Sequence, residues 1–351
     1  MAPTPTWHPE SLAARLPFLR RRAALTAATR AFFTARGYQE VETPCLVPVP
    51  GMEVHLHAFR SEYVPHLGAG TRRTLWLRTS PELALKRLLV AGAGPVFELA
   101  RVWRNGEASP RHAPEFTMLE WYRPGLGLAG MMEETEDFVR AVCPPVVAHA
   151  GVATDLSQPF ERITMAEAFA RWCGGLDLLA TVTPEGQGDA AALRAAAAAI
   201  GIPPRDGEGW EDLFFRLLLE RVEPEIGRGR ATFLTHWPAP QAALARRDPA
   251  DPRAALRFEL FAGGIELANA FDELTDPAEQ RARFAADVAE RRARYGADGW
   301  PGHWDVDEEF LAALEHGMPE GSGIALGFDR LAMLAAGARS IGDVLWLPFV
   351  P

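Results

Sequence analysis

The sequence predicts a single α+β domain over residues 1–351, an antiparallel sheet flanked by helices. Strand-like segments cluster toward both ends of the chain, with helical stretches between them. Regular βαβ alternation and a glycine-rich βα turn are both missing, which disfavours a dinucleotide-binding fold. A length of 351 residues suits one large domain or two ordinary ones, and either can bury a substantial core.

Residues 11–36 (SLAARLPFLRRRAALTAATRAFFTAR) carry Leu, Phe and Ala at helical spacing with arginines on the other face, and Gly37 ends the helix. YQEVETPCLVPVPG follows as a short strand stopped by prolines. WLRTSPELALKRLLVAG reads as a strand, a Thr-Ser-Pro start with Pro81 near the first turn, then an amphipathic helix. The apolar runs VFELARVWRN and EFTMLEWYRP flank the polar GEASPRHAP, giving a long-looped antiparallel hairpin. Residues 128–143 read as helix. The Ala-, Pro- and Gly-rich middle, about residues 150–230, holds two more helices, DAAALRAAAAAI and WEDLFFRLLLERV; the alanine run carries no chemistry. Strand-like sequence returns in ATFLTHWP and RFELFAGGIELANAF. GSGIALGFDRLAMLAAG is a glycine-bordered strand running into a helix.

Hydrophobic residues at 48% and charged residues at 23% are the balance of a soluble globular protein. No apolar run approaches the roughly 20 residues that span a bilayer, and the N-terminus lacks a signal-peptide pattern. Cys45, Cys143 and Cys173 are too scattered for a disulfide framework or a metal pair and read as thiols in a reducing cytoplasm. The net charge of −10 argues against nucleic acid as the main partner, since phosphate neutralisation needs a basic face. The arginine clusters Arg20–Arg22 and Arg281–Arg294 read as solvated helix faces rather than docking surfaces.

Three clusters carry candidate chemistry. In the hairpin, Arg104 ends the first strand, and Arg111 and His112 lie in the loop. Phe116, Met118, Glu120 and Tyr122 share one face of the second strand, with Glu115 at its start. A carboxylate on a buried face needs something cationic, either a ligand or an arginine of the core. In FELFAGGIELANAFDEL, Glu259 and Glu266 could hold Mg²⁺ with phosphate oxygens and Glu273 could meet a basic ligand; alternatively these are turns with solvated acids. In Gly-Phe-Asp-Arg (327–330), Arg330 opens a helix where it could reach a phosphate or stack on a base, or simply pair with Asp329.

Taken in order, these clusters resemble the signature motifs of class II aminoacyl-tRNA synthetases. GYQEVETP with Pro44 is similar to motif 1 (near 37–50), the dimerisation element. RVWRNGEASPRHAPEFTMLEWY is similar to motif 2 (near 97–123), and GSGIALGFDRLAML to motif 3 (near 321–337). TSPELALKRLLVAGAGPVFELARVWRN, PEFTMLEWYRP and GIELANAFDELTD resemble the lysyl-tRNA synthetase group, and more closely its truncated branch, the elongation factor P (R)-β-lysine ligases. The resemblance runs from about residue 15 to the end. It implies that Arg104 and Arg330 are catalytic and bind ATP together with Asn105, His112 and Phe116. It also implies that Glu259 and Glu266 hold Mg²⁺, and that Ser80, Glu82, Glu120, Tyr122, Asn269 and Glu273 surround the amino acid. A dibasic substrate explains why acids stand in apolar strands.

Two departures from the synthetase pattern stand out. Gly106 occupies the place of a glutamate that contacts adenine in the synthetases, which moves that role to Glu107. Ala325 stands where lysyl-tRNA synthetases carry glycine and the ligase branch carries alanine, favouring a β-amino acid. With motif 1 so near the N-terminus, an anticodon-binding barrel is not expected. The implied acceptor is therefore a lysine ε-amino group on elongation factor P rather than tRNA, with a cytoplasmic homodimer as the working form. The competing readings are a stand-alone core charging tRNA or another acceptor with α-lysine, and a catalytically dead regulatory paralogue.

Overall fold

A computed structural model describes residues 5–66, 70–242, 244–296 and 303–348. The chain divides into two compact units. One comprises residues 1–125, 275–321 and 325–351; the other comprises 126–274 and 322–324.

The first unit opens with α1 (Pro9–Ala35), which starts two residues earlier than its apolar pattern suggests. Pro9 suits a first turn, and the His8 ring accepts the Glu10 N–H at 3.4 Å. Gly37, at φ +79°, takes the left-handed turn that ends the helix. The proline-rich stretch yields two short strands, β1 (Gln39–Glu40) and β2 (Leu46–Val47). Next come β3 (Arg60–Tyr63), β4 (Arg73–Leu77), α2 (Glu82–Val90), β5 (Val96–Trp103) and β6 (Glu115–Pro124). β5 and β6 pair antiparallel from Val96↔Tyr122 to Trp103↔Glu115. β1 lies parallel against β5, and β4 runs antiparallel to both β2 and β3.

Helix α1 contributes Phe33, whose ring stacks on Phe97 at 4.9 Å and meets Trp121 at 5.0 Å. Trp121 therefore faces α1, while Phe116, Met118, Glu120 and Tyr122 take the opposite face, as alternation requires. Both faces of β6 are covered: every residue from Thr117 to Tyr122 is buried, which hides the alternation from burial alone.

The second unit contains α3 (Leu128–Val142), β7 (Val146–His149), β8 (Val152–Asp155), β9 (Glu161–Thr164), α4 (Met165–Trp172), α5 (Ala190–Ala199) and α6 (Trp210–Leu217). It continues with β10 (Gly229–Arg230), β11 (Thr232–Pro238), β12 (Ala254–Ala262) and β13 (Ile265–Asp272). β11, β12 and β13 run antiparallel, and β9 joins the edge parallel to β11. Parallel pairing occurs at β1–β5 in the first unit and at β9–β11 and β8–β10 in the second. Gly263 and Gly264, at φ +64° and +68°, make the tight β12–β13 turn with two positive-φ residues. WEDLFFRLLLERV is helical to Leu217 and then widens into a π turn at Leu218–Val222. Phe214 stacks on Trp210 and Phe169 at 5.1 and 5.5 Å, forming the centre of this unit's helical core.

The chain returns to the first unit through α7 (Pro277–Tyr295) and α8 (Glu308–Gly317). β14 (Gly321–Gly327) supplies residues to both units, and α9 (Phe328–Ala336) follows it. Cys45, Cys143 and Cys173 are free thiols, and burial pushes Cys173 up to about 11. Among the described residues no helix is long and apolar enough to cross a membrane.

Candidate active site

In the first unit, Glu120 has no exposed surface. Its partners are hydroxyls: Ser80 donates to Oε1 at 2.6 Å and Tyr122 to Oε2 at 2.8 Å. The core arginine that could have neutralised it, Arg78, is instead taken by Glu98, opposite Glu120 in the β5–β6 register, at 2.7 Å. Burial, reinforced by the charge of Glu82, pushes the Glu120 carboxyl up to about 8. Among the described residues, the Glu120 carboxyl is short of a positive partner. Ser80 also accepts the Glu82 N–H at 3.0 Å, so one hydroxyl both starts α2 and holds Glu120. Glu82 has its own cation: buried Lys86, one helical turn on, donates to it at 2.5 Å. Burial raises the Glu82 carboxyl, Lys86 opposes this, and Glu53 adds to it.

Glu120→Gln tests the consequence of this burial for stability. Between about 4.5, the ordinary carboxyl value, and about 8, the folded chain holds a proton here that the unfolded chain has released. Stability therefore falls as pH rises through that window. The glutamine variant is expected to be more stable than wild type at pH 8, by on the order of 2–4 kcal/mol, with the difference vanishing near pH 4. Urea titrations across pH 4–8 measure it, and a difference that does not change with pH would refute the assignment.

Nearby lie the groups read as ATP contacts. Arg104 follows the end of β5, and its backbone N–H donates to Pro114 O at 2.9 Å, closing the base of the hairpin loop. Its guanidinium stands 5.4 Å from the Phe116 ring centroid. The Arg104 Nε is buried and has no hydrogen-bond partner among the described residues. A buried, unsatisfied guanidinium N–H beside an aromatic face suits an anionic group attached to a planar base. The Asn105 N–H donates to His57 O at 2.7 Å. Glu107 is half-buried and close enough to oppose the lowering of the His57 pKa by burial, Arg291 and His55.

Arg330 meets His112 Nε2 at 2.6 Å, and His112 Nδ1 lies 2.6 Å from Ser109 Oγ. A guanidinium can only donate, so Nε2 accepts and the ring proton sits on Nδ1, directed at Ser109. Asp329 does not pair with its neighbour Arg330; it pairs with Arg22 of α1. Ala325 and Phe116 each pack against the small cluster of Ala100, Val102 and Met118. Arg111 is exposed in the loop.

The second unit arranges its acids differently from solvated turns. Glu259 is buried on β12 and Glu266 half-buried on β13. Burial and then Glu266 raise the Glu259 carboxyl, while Arg257 opposes them. Sequence reasoning missed Arg257. It donates to Glu259 Oε1 at 2.7 Å, to Asn269 Oδ1 at 3.0 Å and to Gln241 O at 2.7 Å, and lies 4.0 Å from the Trp237 ring centroid. Its signal was the RFE spacing, which puts Arg257 two residues from Glu259 on one strand face. Glu273 is buried beyond β13, bridged to Ala245. Two mutually repelling carboxylates form an oxygen donor set that fits a hard divalent cation such as Mg²⁺.

The family model described as "tRNA synthetases class II (D, K and N)" matches residues 14–350. The chain belongs to this family. A Klebsiella pneumoniae protein named elongation factor P–(R)-β-lysine ligase is 44% identical over 98% of each chain. Proteins of the same name from Haemophilus influenzae (strain PittGG) and Salmonella paratyphi B are each 42% identical. They cover 97% and 98% of this chain and 96% and 98% of their own. The segment that resembles motif 2 forms the β5–β6 hairpin, with Arg104 just past β5, and the segment that resembles motif 3 forms β14 leading into α9, with Arg330. In the segment that resembles motif 1, the Thr43 hydroxyl donates to Glu98 at 2.7 Å.

Proposed function

We propose that this chain forms the adenylate of a lysine-type amino acid, foremost (R)-β-lysine, and transfers the acyl group to a lysine ε-amino group of elongation factor P. The observation carrying the reading is Glu120, a buried carboxyl on β6 with two hydroxyl partners and, among the described residues, no cationic hydrogen-bond partner. A substrate ammonium supplies the missing charge. Relatives that match over nearly their whole length carry the ligase name, which supports a single catalytic domain acting on a protein rather than on tRNA. The net charge of −10 supports the same choice.

In this mechanism the amino acid's carboxylate oxygen attacks the α-phosphorus of ATP, and pyrophosphate leaves. Arg104 stabilises the charge that develops on the α-phosphate, with Arg330, His112, Asn105, Glu107 and Phe116 holding the nucleotide. Glu259 and Glu266 would hold Mg²⁺, which when bound neutralises phosphate charge. Ser80, Glu82, Tyr122, Asn269 and Glu273 complete the amino-acid contacts. The acceptor amine then attacks the acyl carbonyl, and AMP leaves. Positioning and electrostatics suffice, so no side-chain nucleophile is needed. The working form is a cytoplasmic homodimer.

ATP–pyrophosphate exchange driven by each lysine isomer tests the activation step. Exchange is expected with (R)-β-lysine in preference to α-lysine; no exchange with either isomer would revive the dead-paralogue reading. Because Glu120 must lose its proton to meet an ammonium, apparent affinity for the amino acid should rise as pH increases toward about 8. Ala325→Gly, which removes the methyl group packed against the Ala100, Val102 and Met118 cluster, is expected to lower the β-over-α preference in kcat/KM about tenfold. An unchanged ratio would remove position 325 from the specificity set.

A further inference from the structure

We propose that Arg22 of α1 is a positioning residue for the two ATP-facing side chains Arg330 and Phe116, an inference that rests on the nucleotide-binding reading of those residues. Arg22 does not belong to a solvated helix face: its side chain is 11% exposed and its partners lie on two other elements. One guanidinium nitrogen pairs with Asp329 Oδ1 at the start of α9. The other donates to Thr117 Oγ1 on β6 at 3.0 Å. The ring closes between those partners, because the Thr117 N–H donates to Asp329 Oδ2 at 3.0 Å. The guanidinium also lies 5.4 Å from the Phe328 ring centroid. Asp329 is 1% exposed, so the ring is buried and its carboxylate depends on Arg22 for charge.

Each partner of Arg22 stands next to an ATP contact in sequence. Thr117 follows Phe116 and points to the opposite face of β6, so fixing Thr117 fixes the pleat that presents the Phe116 ring. Asp329 precedes Arg330 in the first turn of α9, so fixing Asp329 sets the rotation of that turn. Arg330, the next residue, meets His112. The forked guanidinium joins motif 2 and motif 3 from behind, holding the stacking ring and the phosphate-facing arginine in one register. A lysine at position 22 retains the charge but presents a single nitrogen, which cannot serve both partners in this geometry.

The test separates positioning from support of the fold. Arg22→Met with Asp329→Asn removes the buried charge together with its counter-ion, so the melting temperature is expected to stay close to wild type. The exchange rate with (R)-β-lysine should nevertheless fall about a hundredfold, with KM for ATP raised and KM for the amino acid within about twofold. Arg22→Lys guards against misfolding of the double variant; it should melt near wild type and lose about tenfold in exchange. Recovery of the exchange rate to within threefold of wild type in the well-folded double variant would overturn the proposal and leave the ring a purely structural feature. Arg330→Ala serves as the reference. Loss of exchange there alongside normal Arg22 variants overturns the positioning role alone, whereas unchanged exchange in Arg330→Ala overturns the nucleotide reading and this inference with it.

Discussion

Arg104→Ala is expected to reduce amino-acid-dependent ATP–pyrophosphate exchange by about 10²–10³-fold without unfolding the protein. The side chain is half-buried just past β5, with an Nε that lacks a partner among the described residues and a guanidinium facing the Phe116 ring. A charge held in place before the reaction, and aimed at where negative charge develops, stabilises the transition state more than the ground state. The loss should therefore fall mainly on kcat. Stability should change little, because the contact that closes the hairpin loop comes from the Arg104 backbone, which alanine preserves. Arg104→Lys should recover only part of the rate, since an ammonium cannot present two parallel donors. Exchange within threefold of wild type in the alanine variant would remove Arg104 from the catalytic role.

The largest effect on stability is expected at Arg78, which has no role in the chemistry. Arg78 and Glu98 are each 3% exposed and pair at 2.7 Å. The guanidinium also donates to Arg101 O and Thr43 O, both at 3.0 Å, and Glu98 accepts from the Thr43 hydroxyl. One cation thus ties the segment after α1 to β5, on the strand pair that carries Glu120. Arg78→Met leaves Glu98 buried and unpaired, which should cost about 3–5 kcal/mol. Replacing Glu98 with glutamine in the same chain should return part of that loss, because the stranded charge is gone. Urea unfolding at pH 7 measures both variants; a loss below about 1 kcal/mol for Arg78→Met would show that water or rearrangement reaches Glu98.

The elements legible in the sequence are those with long apolar periodicity. α1, the β5–β6 hairpin, α2, α3 and the β14–α9 junction all appear where spacing places them. Short elements stabilised by tertiary contacts were not legible: β3, β7, β8 and β9 are four residues each, too short for alternation to register. α4 carried a local signal that went unread, the Thr164-to-Glu167 capping box. The parallel edge pairs lay beyond reach because β1 has only two residues and pairs across more than fifty positions of chain.

Residue types in the candidate site were legible, but their pairings were not. Alternation put Glu120 on the face shared with Phe116 and Tyr122, yet only the structure shows that Arg78 serves Glu98 rather than Glu120. Arg22 looked like one of three arginines on a solvated face, because charge on a helix is usually solvated. Its burial depends on Asp329 and Thr117, which are distant in sequence. Arg257 carries no motif of its own in the sequence; its place beside the carboxylates is set by its bond to Glu259.

Transfer to a protein acceptor is the central claim, and one experiment reaches it most directly. Elongation factor P is incubated with this protein, ATP and either (R)-β-lysine or α-lysine, with bulk tRNA present, and both macromolecules are then analysed by mass spectrometry. The account predicts a single lysine of elongation factor P bearing one lysyl-type group, formed preferentially from the β-isomer and dependent on ATP, with tRNA unmodified. Aminoacylated tRNA together with unmodified elongation factor P would contradict it.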